Sequence, residues 1–255
     1  MPKSRAASPS SPLEYSDATA RNIVRSFNTW AFKREQPSEP ELLLGTVAAR
    51  CSASEPVSFV LYWGKGPRST AEQPDVACLE FLSAMARRIA ANYPPGAHFT
   101  LCQTDTHARL NGHSESSITR YFAQIDEAAR DFGMDTVRLS ALVGRLAGRQ
   151  ARVAPMPESM LAELERCAAK WFRGGDSPRE GARRYLALNM IEREAVAAAF
   201  PHAIFVTFNG RAYRAMFPAT LPVFYMYSLK QGTSTKPWFL DASGRAYESA
   251  ASSAA

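Results

Sequence analysis

Three short polar segments carry the residues that could do chemistry, and each of them follows an apolar run. The first is Gly64-Lys65-Gly66-Pro67-Arg68. Its glycines free the backbone, and Lys65 and Arg68 supply positive charge shortly before an expected helix. These features predict a site for an anion or a phosphate. The spacing is not that of a Walker motif, and a solvent-exposed basic turn would explain the same residues.

The second polar segment extends from Thr104 to His113. Asp105 and His107 could form an acid/base pair in which the carboxylate orients the imidazole, and Asn111 adds a polar group for a substrate. Asp105, His107 and His113 make a weak pattern for a metal site, so we predict no metal. A loop capped by its own Asp and Asn side chains is the alternative.

The third polar segment is Thr207-Phe208-Asn209-Gly210-Arg211, followed by Arg214. Arg211 or Arg214 could hold a carboxylate through paired hydrogen bonds, with Asn209 as a further substrate contact. An ordinary Asn-Gly turn is the alternative. The aromatic residues that come later are more typical of a core than of a ligand cage; they are Phe224, Tyr225, Tyr227, Trp238 and Phe239.

The elements that must position these segments follow from the hydropathy pattern. Strands are predicted at 57–63, 97–105, 202–209, 221–229 and 236–241, with an extended segment at 136–142. Helices are predicted at 18–31, 40–51, 75–93, 117–134, 140–149, 157–173 and 177–200. The alternation predicts an α/β fold with a Rossmann-like, mostly parallel sheet flanked by helices. The last two strands are expected to form an antiparallel C-terminal hairpin.

The parallel sheet makes a prediction about the three polar segments. Ligands in such sheets bind beyond the carboxyl ends of the strands, so all three segments are expected at one edge. The segment at 106–116 is predicted to be a loop there. Ser177 is expected to cap the long helix at 177–200, with Pro178 in its first turn.

Length and composition predict one domain and limit the kinds of partner it could have. The chain has 255 residues, of which 46% are hydrophobic and 21% charged, which suits a globular protein. We predict a single α/β catalytic domain at 18–242, with disordered tails at 1–17 and 243–255. The net charge of +6 mildly favours anionic ligands. Acidic residues interrupt the basic run between 138 and 184, which indicates an exposed helix face rather than a nucleic-acid site.

Cysteine usage and hydropathy predict the compartment. The four cysteines are far apart in the sequence and form no C-x-x-C pair, so we expect reduced thiols. The N-terminal residues lack the apolar region of a secretory signal, and no run reaches the ~18 apolar residues of a membrane span. These features predict a cytoplasmic protein without a membrane partner.

An ordered set of motifs resembles the isocyanide (isonitrile) synthase family, also called the pyoverdine/dityrosine biosynthesis family, over roughly residues 57–240. The motifs in chain order are WGKGPR at 63–68, DVACLEFL at 75–82, YPPGAHFTL at 93–101, TDTHARLNG at 104–112, ITRYF at 118–122, FPHAIFVTFN at 200–209 and PWF at 237–239. No single motif is highly specific, and the resemblance rests on their order.

The resemblance implies a reaction without a cofactor. In that family the amine of an amino acid, often an aromatic one, condenses with the ketone of ribulose 5-phosphate, and the imine fragments to an isocyanide. By this analogy Lys65 and Arg68 bind the phosphate, and His107 paired with Asp105 is the base. Arg211 or Arg214 holds the amino acid carboxylate. Aromatic residues of the late strands, including Trp238, exclude the water that would hydrolyse the imine.

The chain departs from the family at three places and is shorter than typical members. Thr104-Asp105-Thr106 stands where the family has Ser-Asp-Gly, and Phe208-Asn209 where it has Ile-His. Phe239 stands where it has the His of Pro-Trp-His. Two alternatives therefore stay open. One is a related C1 transfer or N-formylation of an amine on the same fold. The other is a basic protein that binds a phosphorylated metabolite or RNA without catalysis.

Overall fold

Five strands form one parallel sheet in the order β3-β2-β1-β4-β5. A computed structural model describes residues 17–66, 68–146, 158–172 and 177–226. The strands are β1 Val57–Trp63, β2 Ala97–Gln103, β3 Asp135–Arg138, β4 Ile204–Thr207 and β5 Val223–Tyr225. Every pair of neighbouring strands is parallel. The predicted Rossmann-like α/β architecture is confirmed.

Helices cover both faces of the sheet. They are α1 Asp17–Phe27, α2 Pro40–Ser52, α3 Gln73–Ala90, α4 Asp105–Leu110, α5 Glu115–Asp131, α6 Leu139–Leu146, α7 Glu158–Trp171 and α8 Pro178–Ala199, with a 3-10 helix at Arg211–Met216. Ser177 caps α8 as predicted, because its hydroxyl accepts a hydrogen bond from the backbone N–H of Glu180 at 3.2 Å. Among the described residues, no helix has both the length and the apolar character to cross a membrane.

The alternation of side chains along β1 separates two cores. Phe59, Leu61 and Trp63 are buried on the face covered by α1, α2, α3 and α5. Val60 is buried on the opposite face, which α6, α7 and α8 cover, and Tyr62 packs against that second core. This is the period of two that a strand imposes. Polar groups near the end of β1 can therefore reach either side of the sheet.

The strand order reverses direction at β1, which lies between β2 and β4. In open α/β sheets the loops on either side of such a reversal part to form a ligand crevice. Here the loop after β1 and the loop after β4 flank that position. The first and third polar segments therefore lie beside the position at which open α/β sheets commonly bind ligands.

Two elements differ from the sequence expectation, and one lies outside the described residues. The segment after β2 is not all loop, because residues 105–110 form α4, in which Asp105 and Arg109 are paired at i and i+4. The first helix ends at Phe27 rather than at residue 31. The predicted partner strand of the C-terminal hairpin, at 236–241, lies outside the described residues, as do nearly all of the two predicted tails.

Candidate functional site

The carboxyl ends of β1 and β2 hold their polar residues close together. The backbone N–H of Thr104 donates to the carbonyl of Trp63 at 2.9 Å, and this bond continues the β1–β2 pairing past the strands. Lys65 then follows β1, Asp105 and His107 follow β2, and Asn209 follows β4. Since all these strands are parallel, the three polar segments share one edge of the sheet, as predicted.

A buried pair of His107 and Glu192 stands on the α8 side of this edge. The imidazole Nε2 hydrogen-bonds one carboxylate oxygen of Glu192, and the hydroxyl of Thr106 donates to the other. The Glu192 side chain is fully buried, whereas His107 is 12% exposed. The carboxylate thus lies behind the imidazole, and the imidazole has the access to solvent.

The hydrogen bond to Glu192 bears on which nitrogen of His107 carries the proton. An ionised carboxylate only accepts hydrogen bonds, so beside an ionised Glu192 the Nε2 nitrogen is the donor and Nδ1 is an acceptor. Two tyrosine rings pack edge-on against the imidazole, with centroid distances of 6.2 Å for Tyr62 and 4.8 Å for Tyr185. A carboxylate-oriented imidazole held in this way is the arrangement of a general base.

Glu192 was missed in the sequence because it lies in the middle of a long helix rich in charged residues. The helical spacing of α8 does indicate that Glu192 is buried. Glu192 follows Asn189 by three residues and precedes Val196 by four, so the three share one face of the helix, and Asn189 and Val196 are buried. A carboxylate at such a position needs a buried partner. The identity of that partner does not follow from the sequence.

Asp105 does not pair with His107, which corrects the expected acid/base pair. Its carboxylate accepts hydrogen bonds from the backbone and the hydroxyl of Ser140 and from Arg109. Burial alone would raise the pKa of Asp105, but the bonds from Ser140 and Arg109 outweigh it and hold that pKa below its ordinary value. Asp105 therefore stays anionic and ties the end of β2 to the start of α6.

Arg68 is held inside the protein by an ion pair. Its guanidinium donates two hydrogen bonds to Asp75, at 2.7 and 2.8 Å, and Asp75 also accepts from the Tyr121 hydroxyl at 2.8 Å. Both charged side chains are 1% exposed. The charge of Arg68, which the sequence assigns to a substrate phosphate, is matched by a carboxylate in this structure.

Lys65 is also enclosed, with 2% of its surface exposed. Its ammonium nitrogen donates to the backbone carbonyl of Arg68 and lies 3.4 Å from Nδ1 of His113. Burial, and then the charge of Arg68, lower the pKa of Lys65 to about 8. Burial, and then the charge of Lys65, lower the pKa of His113 to about 4. His113 is therefore neutral at pH 7.

Arg214 serves the backbone rather than a ligand. Its guanidinium donates to Glu39 at 2.7 Å and points its remaining donors at backbone carbonyls of residues 217, 218, 219 and 221, at 3.2–3.5 Å. These contacts engage the guanidinium that the sequence offers as one of two possible carboxylate clamps. Arg211 is exposed, and its backbone N–H donates to Glu35 at 3.1 Å.

The remaining predicted site residues are Asn111, Asn209 and Trp238. Asn111 caps the C-terminus of α4. Asn209 is half-buried, and its backbone N–H donates to the Thr207 hydroxyl at 3.1 Å. Trp238 lies outside the described residues. Within the described ranges, no group of three or more His, Cys, Asp or Glu side chains is arranged to hold a metal ion.

Comparison with solved structures identifies the class of fold. The chain superimposes on the PvcA protein of Pseudomonas aeruginosa with a TM-score of 0.65 and 16% identity, over 86% of this chain and 87% of that one. A tyrosyl-tRNA synthetase from Archaeoglobus fulgidus, solved with L-tyrosine, matches with a TM-score of 0.40 and 14% identity, over 81% and 63% of the two chains. No protein-family model matches the sequence, and no curated protein does either. The chain has the fold of PvcA.

Proposed function

We propose that the protein is an enzyme of the isocyanide synthase kind, which joins the amine of an amino acid to a sugar-phosphate ketone. PvcA, whose fold the chain shares, is an isocyanide synthase. The ordered motifs of the sequence lead to the same family. The observation that carries the proposal is the His107–Glu192 pair at the carboxyl edge of the sheet, the edge at which parallel α/β sheets bind ligands.

In this reaction the pair acts as the base. Condensation of the amine with the ketone releases water and leaves an imine, and the imine must lose protons before it fragments. Nδ1 of His107 takes a proton, while Glu192 stabilises the imidazolium that results. Because Glu192 is buried and bound by Thr106 and His107, little reorganisation is needed when the positive charge appears.

The substrate contacts differ from those expected from the sequence. Arg211, which is exposed beyond β4, is the guanidinium we assign to the amino acid carboxylate, with Asn209 beside it. Arg214 and Arg68 serve the fold. Lys65 is the cation that we assign to the neighbourhood of the sugar phosphate.

Mass spectrometry tests the proposal directly. Purified protein is incubated with ¹³C-labelled ribulose 5-phosphate and a pool of the twenty amino acids. The expected product has the mass of one amino acid plus one labelled carbon minus two hydrogens. The Glu192→Gln variant should lose at least ~100-fold in kcat, since removing a group that orients a general base costs about this much or more. Glu180→Gln, on the half-exposed part of the same helix, is the matched control and should retain activity.

Two results would contradict this reading. Full activity in Glu192→Gln would remove the pair from the mechanism. A labelled formamide, heavier than the isocyanide by one water, would favour N-formylation instead. That second candidate is motivated by Asn209, which stands where the family has a histidine.

A further inference from the structure

The surroundings of Lys65 are unusual for a lysine that merely binds an anion. Its nitrogen lies against a backbone carbonyl, the neutral ring of His113 and, at 6.0 Å, the ring centroid of Tyr121. The Asp75 carboxylate is engaged by two donors of Arg68. Among the described residues, no hydrogen bond or ion pair joins the Lys65 ammonium to a carboxylate, although only 2% of the side chain is exposed.

The loop itself turns Lys65 inward. Gly66 adopts a positive φ of 60°, which is a conformation that glycine takes at low cost. The turn carries the chain back so that the carbonyl of Arg68 meets the Lys65 nitrogen. Lys65 thus lies just past the carboxyl end of β1, at the position where the strand order reverses; sheets of this type bind ligands at such a position.

We propose that Lys65 is a catalytic amine that captures the ketone of the sugar phosphate as a Schiff base and then passes it to the substrate amine. This inference rests on the proposed function and assigns to Lys65 a covalent role instead of the phosphate contact expected from the sequence. The class of substrate is a phosphorylated ketone. The motivating juxtaposition is a buried lysine, without a carboxylate partner among the described residues, in the loop after β1, where the strand order reverses.

The steps balance without a redox partner. The unprotonated Lys65 nitrogen attacks the ketone carbon, water leaves, and a C=N bond replaces the C=O bond. The amino group of the amino acid adds to that carbon, and the Lys65 nitrogen then leaves as the free amine. One water is released, as in direct condensation. The gain is that the protonated imine is a stronger electrophile than the ketone.

The neighbours of Lys65 favour the neutral amine that this attack requires. Desolvation and a nearby cation both disfavour the ammonium form, and Arg68 is that cation. With its pKa lowered from 10.5 to about 8, roughly a tenth of Lys65 is unprotonated at pH 7, about 300-fold more than of an unperturbed lysine. Of the two polar contacts of the Lys65 nitrogen, the one to His113 is the longer. His113 is therefore the neighbour that a ketone would displace on its approach.

Reductive trapping tests the proposal on the unmodified protein. The full chain is incubated with ribulose 5-phosphate and sodium cyanoborohydride, without an amino acid, and its peptides are mapped by mass spectrometry. The expected adduct has the mass of the sugar phosphate less one oxygen and lies on Lys65. Lys33 is the internal control, because it too is buried and hydrogen-bonded to neutral groups, the carbonyl of Asn28 and the amide of Gln36, but lies outside the loop that follows β1.

We expect labelling of Lys65 to exceed that of Lys33 at least tenfold. Equal labelling of the two, or no adduct at all, would overturn the proposal. The Lys65→Arg variant provides a second readout, because it keeps the positive charge but has no nucleophilic amine. It should lose at least ~100-fold in kcat, whereas retained kcat would show that only charge is needed at this position.

The outcomes separate this inference from the proposed function. Isocyanide formation without a Lys65 adduct would refute the covalent role and leave the function standing. An adduct on Lys65 without isocyanide from any amino acid would support the covalent role and refute the proposed product. If Lys65→Arg does not fold, the trapping experiment on the unmodified chain decides by itself.

Discussion

Replacing Asp75 by Asn tests whether the buried ion pair below the β1 loop supports the fold. The substitution keeps the size of the side chain but leaves the Arg68 guanidinium, 1% exposed, without a counter-charge. It weakens two charge-assisted hydrogen bonds of 2.7 and 2.8 Å. Breaking a buried pair from one side costs about 3–5 kcal/mol. For a domain of this size that corresponds to a fall in Tm of roughly 10 °C.

The assay is unfolding by urea and by heat, followed by circular dichroism, on the variant and on two controls. Glu165→Gln removes one partner of an exposed pair with Arg179, at 3.4 Å, and should cost less than ~1 kcal/mol. The double variant Arg68→Met/Asp75→Leu removes both charges and should recover most of the loss. If Asp75→Asn lowers the free energy of unfolding no more than Glu165→Gln does, the buried ion pair does not support the fold as argued.

Two further predictions concern the packing at two helical glycines and the loss of stability at acid pH. A methyl group at Gly181, where α8 meets α7, would lie 2.7 Å from the Phe172 ring, whereas nothing lies within 4 Å of the same position at Gly45 in α2. Gly181→Ala should therefore lower the free energy of unfolding by about 1–3 kcal/mol, whereas Gly45→Ala should raise it by about 0.5–1 kcal/mol. Urea midpoints measure both changes, and higher stability in both variants would contradict the packing. The unfolded chain protonates His113 near pH 6.5 and the folded chain only near pH 4, so acidification through this window favours unfolding. His113→Asn should flatten the pH dependence of the urea midpoint there, and an unchanged slope would exclude His113 as its source.

Much of the framework could be predicted from the sequence because it depends on local patterns. The apolar runs at 57–63 and 97–105 are long enough to mark buried strands. Their separation by an amphipathic helix implies parallel pairing, and parallel pairing brings the polar segments to one edge. α4 was missed because its six residues are too few to show helical periodicity.

The partners of the site residues could not be predicted in the same way. The pattern placed Asp105 and His107 two residues apart and suggested that they meet, but successive positions in a helical turn point in different directions. His107 instead meets Glu192, 85 residues away in the sequence. Arg68 was interpreted as a ligand contact because nothing local indicates that the start of α3 turns Asp75 toward it. Such pairings depend on how helices cross the sheet, which spacing along the chain does not encode.

The distance along the chain between His107 and Glu192 also has a consequence for folding. α8, which carries the carboxylate, leads directly into β4, so the pair is completed only when the later half of the sheet has docked on the earlier half. Contacts of such long sequence separation form late, since closing a long loop costs entropy before any contact repays it. During refolding, helical circular dichroism would then recover before the proposed catalytic activity. A chain that stops before α8 docks would contain every strand-end residue of the first half of the sheet but would lack the carboxylate partner of His107.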